Sequence, residues 1–318
     1  FYAAQDLRGS YFRGHRHPQV QGAWDRLARA ARQWEGHTVV ISHEILVGCD
    51  EDEVRRAVES LRPHEVHIVF TARDLARQIP AMWQESVKNG RVVPFDRYLK
   101  TLQDDEPALV GKIFWRTQDV VDALRRWGTA VPADRIHVVT VPPHGQDPGV
   151  LWKRFCTVTG IDPDRASTPA GSGENVSLGL AEAELLRRVN GRLKGTLSWP
   201  EHEALLKNFM TREVLGARRD AARTGIPATD RGWVVERGRG QVEALRDRGY
   251  DVIGSLDELV PGFSGVPDAS ATPPSDDVID AAVDALAVLL AERRAGRRST
   301  ATAALRGWAG ALRARLPR

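Results

Sequence analysis

The sequence predicts an α/β fold, a mostly parallel sheet flanked by helices, with a helical extension at its C-terminal end. Two observations carry this. Short β-branched runs recur at residues 38–41, 66–70 and 136–141, each too brief for a helix and rich in strand formers. Between the first and last of them lie stretches whose apolar residues repeat every three or four positions. Strands alternating with helices need crossover connections, which make parallel pairs covered on both faces.

The first run, Thr38-Val39-Val40-Ile41, leads into residues 51–61, where Val54, Ala57, Val58 and Leu61 share one helical face. The second run, residues 66–70, feeds a helix carrying Trp83, Gln84, Glu85 and Lys88. Residues 120–127 form a further helix with Val120, Val121, Leu124 and Trp127 on one side, just before the third run at 136–141. Residues 178–193 read as a helix with Ser177 as its N-cap and Glu182 and Glu184 near its positive end. Gly249-Tyr250-Asp251-Val252-Ile253-Gly254 reads as a last strand or closing extended segment. Pro, Gly, Ser and Ala then dominate 261–275, a linker composition. Beyond it, 276–294 is an amphipathic helix, and 301–316 sets Leu305, Trp308, Leu312 and Leu316 on one stripe. The expected division is an α/β domain over 1–260, a linker over 261–275 and a basic helical tail over 276–318.

Composition excludes several classes. With a mean hydropathy of −0.36 and nine Trp in 318 residues, the chain is neither disordered nor membrane-spanning. Two isolated cysteines, Cys49 and Cys156, make neither a disulfide scaffold nor a thiolate zinc site, and they point to a reducing, cytoplasmic setting. The charge of +3 is misleading as a whole. Residues 291–318 hold eight Arg against Glu292, a net of +7, which leaves 1–290 at about −4. The basic character therefore belongs to the tail, and a nucleic-acid partner is not expected. The tail itself suits a weak contact with an anionic membrane surface or docking back on the acidic body. The sequence has no G-x-x-x-x-G-K-[ST] loop, no G-x-G-x-x-G after a strand and no G-x-S-x-G elbow. His43-Glu44 and His202-Glu203 begin like zincin helices, but Val47 and Leu206 stand where a second zinc ligand would be. No metal is expected.

In doubly wound sheets ligands bind past the carboxyl ends of strands. The first expected exit holds Ser42-His43-Glu44, a hydroxyl, an imidazole and a carboxylate, of which His43 or Glu44 suits a general base. The plain alternative is a helix cap followed by solvated first-turn residues. The second exit holds Thr71-Ala72-Arg73-Asp74, and an Arg beside a helix start suits a phosphate. The alternative there is a surface pair of Arg73 or Arg77 with Asp74. The third exit, Pro142-Pro143-His144-Gly145, aims a loop without distinct chemistry.

The block Val40-Ile41-Ser42-His43-Glu44, followed by Thr71-Ala72-Arg73-Asp74-Leu75-Ala76-Arg77-Gln78-Ile79-Pro80-Ala81-Met82-Trp83-Gln84-Glu85, resembles bacterial, especially actinobacterial, sulfotransferase-like proteins. Asn175-Val176-Ser177-Leu178, Leu185-Leu186-Arg187-Arg188-Val189-Asn190 and the segment 249–254 extend the likeness, which covers about 1–260. The resemblance implies a P-loop NTPase-like sulfotransferase fold. It also implies a reaction: a sulfuryl group passes from 3′-phosphoadenosine 5′-phosphosulfate (PAPS) to a hydroxyl or amine on a small molecule, glycan or lipid, without a metal. By the same likeness Arg73 grips the donor's 3′-phosphate, Ser42 joins it in donor binding, and His43 or Glu44 is the base. Ala81 stands where the family usually has Ser, and Leu75 where it often has Pro. The family opens with a P-K-[ST]-G-[ST]-[ST] loop that holds the 5′-phosphosulfate, and the sequence contains none. Phe1 resembles the stretch after that loop, so roughly 40–60 residues, one strand–loop–helix unit, are expected upstream. The acceptor pocket is expected from 90–115 and 195–240, with Trp115, Trp199 and Trp233 as apolar lining. Two other readings compete: a non-catalytic interaction module of the same fold, and a nucleotide-dependent kinase of similar topology.

Overall fold

The computed structural model describes residues 1–9, 17–143, 145–147, 149–164, 176–218, 222–263 and 269–294. In chain order the elements are α1 (Tyr2–Leu7), α2 (Ala23–Arg32), α3 (Glu51–Ser60), β1 (Ile68–Ala72), α4 (Leu75–Lys88), α5 (Phe95–Gln103), α6 (Leu109–Gln118) and α7 (Val120–Trp127). They continue with β2 (Ile136–Thr140), α8 (Gly149–Thr159), α9 (Leu180–Leu193), α10 (Trp199–His202), a π-helix (Glu203–Val214), α11 (Ala228–Arg246), β3 (Asp251–Ile253) and α12 (Ser275–Arg294). The architecture is mixed α/β, with a small parallel sheet flanked by helices. Its strand order is β1-β2-β3, in register at Ile68 with Ile136, Ala72 with Thr140, and Val138 with Val252.

The expected runs at 66–70, 136–141 and 249–254 all contribute strands, the first displaced two residues toward its exit. The expected strand at 38–41 is a correction. Those residues belong to no strand of the described sheet, and Val39 and Val40 stand 43% and 48% exposed. A β-branched run becomes a strand only when a neighbour completes its hydrogen bonds, and β1 pairs with β2 alone. The helices over 51–61 and 120–127 form as expected. The third expected helix begins at Leu180, not 178, with Gly179 as N-cap, because Leu178 is drawn into side-chain hydrogen bonds described below. The expected helix at 301–316 lies outside the described residues.

The chain divides into two compact units. The first comprises Phe1–Leu75, Ala108–Pro169 and Gly232–Ser264, and it contains the whole sheet. Ile136, Val138 and Ala72 pack there against Val120 and Leu124 of α7 and Val242 and Leu245 of α11. A second apolar cluster joins Leu7, Trp24, Cys49, Val54, Ala57 and Trp127. The buried Asp6 carboxylate accepts the Trp24 amide at 3.1 Å, so α1 supplies the cap that Gly22 cannot give α2. The second unit, Ala76–Pro107, Ala170–Arg231 and Gly265–Arg318, is helical throughout its described residues apart from connectors and one isolated bridge. Trp83 is core here: it is 1% exposed, packs on Phe95 and donates to the Val93 carbonyl.

At the carboxyl ends of β2 and β3 a polar lock replaces apolar packing. Arg154 of α8 makes a two-pronged bond to Glu258, at 2.6 and 2.9 Å, and also donates to the Thr140 carbonyl. The Thr140 hydroxyl donates to the same carboxylate. Gly254, at φ +109°, lets the chain pass, because a Cβ there would lie 2.0 Å from the Thr140 hydroxyl. The Arg154 hydrogen bonds hold the Glu258 carboxyl below the usual carboxylate range. A depressed carboxyl contributes stability above its unfolded value, and that contribution is lost as pH falls through its folded value. Thermal melts of wild type and Glu258→Gln should therefore differ widely at neutral pH and converge below about pH 4. A gap that stays constant down to acid pH would remove Glu258 from the lock.

Candidate functional site

The carboxyl edge of the sheet presents three strand exits. Those of β2 and β3 are occupied by the Thr140–Arg154–Glu258 lock. The exit of β1 presents Arg73, half-buried, as the first residue beyond Ala72, then buried Asp74 and the start of α4 at Leu75. The Ala72 carbonyl accepts the Val141 amide at 2.8 Å, which extends the β1–β2 pairing to the edge and fixes the backbone from which Arg73 departs. Arg73 thus sits where sequence reasoning placed it, closer to its strand than expected.

Ser42, His43 and Glu44 do not line a strand exit, because their strand does not form. Ser42 is exposed, and His43 caps a 3-10 turn over Glu44–Gly48. The cap is made by the ring, whose Nδ1 accepts the Ile45 amide at 3.2 Å. Glu44 Oε2 lies 3.3 Å from the same nitrogen, and the Glu44 side chain is 87% exposed. Nδ1 serves one partner at a time. A protonated ring donates to Glu44, whereas a neutral ring that accepts from Ile45 carries its proton on Nε2. A capping, neutral His43 thus keeps its one ring proton on Nε2, and the exposed Glu44 is the carboxylate beside it.

Arg126 holds this turn in place, and sequence reasoning missed it. The side chain is 1% exposed. Its guanidinium donates to the carbonyls of Val47 at 2.8 Å, Cys49 and Arg116 at 2.8 Å, and to Asp122 at 3.1 Å. Burial pushes its pKa down, yet an Arg remains charged, so its donors need acceptors. The Asp122–Arg126 spacing was visible as an i, i+4 pair, but nothing in the sequence marked the Arg as buried. Cys49 beside it is a free, buried thiol pushed up to about 12, mainly by burial, and is therefore inert.

A second titratable cluster crosses the amino ends of the strands. His67 Nε2 meets Glu65 at 2.7 Å, and His137 Nδ1 meets Asp251 at 2.7 Å. The inner nitrogens, His67 Nδ1 and His137 Nε2, are 2.8 Å apart. The ring centroids are 5.1 Å apart with planes 15° from parallel, which the 2.8 Å contact and the two ring radii together account for, so the rings meet edge to edge. With both carboxylates ionised the outer nitrogens donate, and the inner contact needs one further shared proton. The cluster ties three strands together beside a cleft of about 410 Å³ lined by Arg62, Glu65, Pro132 and Arg135. Among the described residues no group of three or more His, Cys, Asp or Glu is arranged to hold a metal ion, and no helix is long and apolar enough to cross a membrane.

In the second unit, α4 gathers segments that the sequence singled out separately. The Gln84 amide accepts from Leu178 N–H at 3.1 Å and donates to its carbonyl at 2.7 Å. Lys88 donates to the Val176 carbonyl at 2.6 Å, and Asn190 to that of Val87 at 2.7 Å. Of the expected pocket tryptophans, Trp115 and Trp233 meet edge to face in the first unit, with Arg237 over Trp115. Trp199 stacks on His202 in the second. Comparison of the chain with protein-family models, curated proteins and solved structures yields no match.

Two substitutions separate the scaffold from the cap. Arg126→Met takes a donor from four buried or half-buried acceptors, of which the Cys49 carbonyl and Asp122 keep Arg116 and Arg125, and should cost roughly 3–5 kcal/mol in urea unfolding. His43→Asn keeps a capping side chain and should stay within about 0.5 kcal/mol of wild type, whereas His43→Ala should lose about 1 kcal/mol. Equal losses for the two His43 variants would refute the capping role.

Proposed function

We propose that the chain is a sulfotransferase-like domain that binds PAPS as co-substrate and passes its sulfuryl group to a hydroxyl or amine acceptor. The observation that carries this reading is the placement of Arg73. It stands directly past the carboxyl end of a parallel strand and two residues before the start of a helix. A planar guanidinium fork beside a helix start is suited to a phosphate dianion, and in the sulfotransferase-like resemblance that phosphate is the donor's 3′-phosphate. The gathering of the 176–178 and 185–190 segments around α4 supports the same reading, because the blocks carrying the resemblance are also joined in space.

The chemistry then follows from the groups present. The acceptor oxygen or nitrogen bonds to sulfur as the bond from sulfur to the bridging phosphate oxygen breaks. The electron pair leaves with 3′-phosphoadenosine 5′-phosphate, and the acceptor's proton passes to a base. Glu44 is the base in this proposal, and the Nε2–H of neutral His43 is a donor for a nearby oxygen. Ser42, exposed on the same segment, keeps its expected place in donor binding only as a solvent-side contact. A non-catalytic module of the same fold is the second reading, favoured by the irregular course of the 38–44 segment outside the sheet.

Calorimetric titration with 3′-phosphoadenosine 5′-phosphate and with 5′-AMP tests the assignment, because the two differ only in the 3′-phosphate. Wild type should prefer the first by about tenfold or more, the range of one charge-assisted contact, and Arg73→Met should erase the preference. Equal affinities in wild type would sink the donor assignment. Binding of magnesium–ATP in preference to both would favour the kinase reading.

A further inference from the structure

The polar chain at the amino ends of the strands lies at the end of the sheet away from Arg73 and takes no part in the proposed reaction. His137 pairs with Asp251 across β2 and β3, and His67, one residue before β1, stands diagonal to His137. Arg135 meets the second oxygen of Glu65 at 2.8 Å, so the chain runs Arg135–Glu65–His67–His137–Asp251. The first rungs of the ladder, Ile68 with Ile136 and His137 with Asp251, begin here. The two imidazoles therefore stand where the backbone pairing starts. The His67 hydrogen bond, helped by Arg135, holds the Glu65 carboxyl below its usual range, so Glu65 stays an acceptor. Both outer ring nitrogens are thus committed as donors to carboxylates. His67 Nδ1 and His137 Nε2 are left facing each other at 2.8 Å, edge to edge.

We infer that the His67–His137 contact is a pH-sensitive clamp on the amino ends of the three strands, closed by one shared proton and opened by its loss or by the arrival of a second. With no proton between the rings, two lone pairs oppose each other. With two protons, two N–H groups do. With one, the contact is a charge-assisted N–H···N hydrogen bond. Charge favours the same count. The carboxylates of Glu65 and Asp251 are balanced by Arg135 and the one shared proton, whereas either other state leaves a net charge. Arg62 and His64 line the cleft beside the chain and add the remaining titratable and charged side chains on that wall. Unfolded, the two imidazoles hold two extra protons well below about pH 6.5 and none well above it. Folding then releases a proton on the acid side and takes one up on the basic side. The clamp's contribution to stability therefore falls in both directions from about pH 6.5. Two separate His–carboxylate pairs would behave differently, losing stability only as pH rises.

Urea unfolding of the full chain, set against the double variant His67→Gln with His137→Gln, reads the shared proton. Relative to the variant, the wild-type unfolding constant should be lowest near pH 6.5 and rise about threefold one pH unit to either side. A ratio that moves in one direction only, or stays flat, would overturn the clamp. Nitrogen NMR of the wild-type imidazoles reads the same proton should the double variant fail to fold. Near pH 6.5 both outer nitrogens should carry a proton, with one more divided between His67 Nδ1 and His137 Nε2. Rings that titrate independently, in step with His64, would overturn the proposal. So would a stabilisation that needs added zinc and disappears with a chelator, since the bridging cation would then be a metal ion.

Discussion

A single buried guanidinium organises the first unit. Arg126 lies at the last turn of α7, where the helix is packed for its apolar residues, and the charge can be tolerated there only if every direction it points holds an acceptor. Those acceptors are the carbonyls that end the 3-10 turn after His43 and the one that ends α6, together with Asp122. The requirement works in both directions. The orphan carbonyls of short helical segments are satisfied without water, and the turn carrying His43 and Glu44 is fixed on a rigid helix although it lies outside the sheet. Thus the irregular 38–48 segment has a defined geometry for a reason that its own residues do not supply.

The sheet shows the same economy at both ends. Where three parallel strands stop, the carboxyl edge is closed over β2 and β3 by Thr140, Arg154 and Glu258, and Gly254 makes room for that closure. The amino edge is closed by the Glu65–His67–His137–Asp251 chain. Both locks have their donors and acceptors paired internally, so they serve the scaffold more naturally than a ligand. At the β1 exit stands Arg73, half-buried beside the buried Asp74. The functional reading therefore rests on the place of Arg73 past a parallel strand as well as on the identity of the residue.

Much of this was legible in the sequence because it depends on local pattern. The strands at 68–72 and 136–140 and the helices at 51–60 and 120–127 announce themselves by period and β-branching. Arg73 was legible because a strand exit and a helix start sit within three residues of one another. The strand at 38–41 was misread because β-branching reports a willingness to pair, whereas pairing depends on a neighbour that the pattern does not contain. Arg126, Arg154 with Glu258, and the facing histidines were invisible for a related reason. Each reaches at least one partner 70 or more positions away, and an isolated Arg or His carries no sign of what will be packed against it. The proposed preference for Glu44 over His43 also draws on the structure, where a ring nitrogen of His43 accepts a backbone amide.

The central claim is that an anionic nucleotide binds at the carboxyl end of β1. Backbone amide chemical shifts, followed by NMR as 3′-phosphoadenosine 5′-phosphate is added to the labelled chain, locate the site without assuming turnover. The account predicts that the largest changes fall on Ala72, Arg73, Asp74 and Leu75. Changes concentrated instead around Glu65 and Arg135, beside the cleft at the opposite ends of the strands, would contradict it.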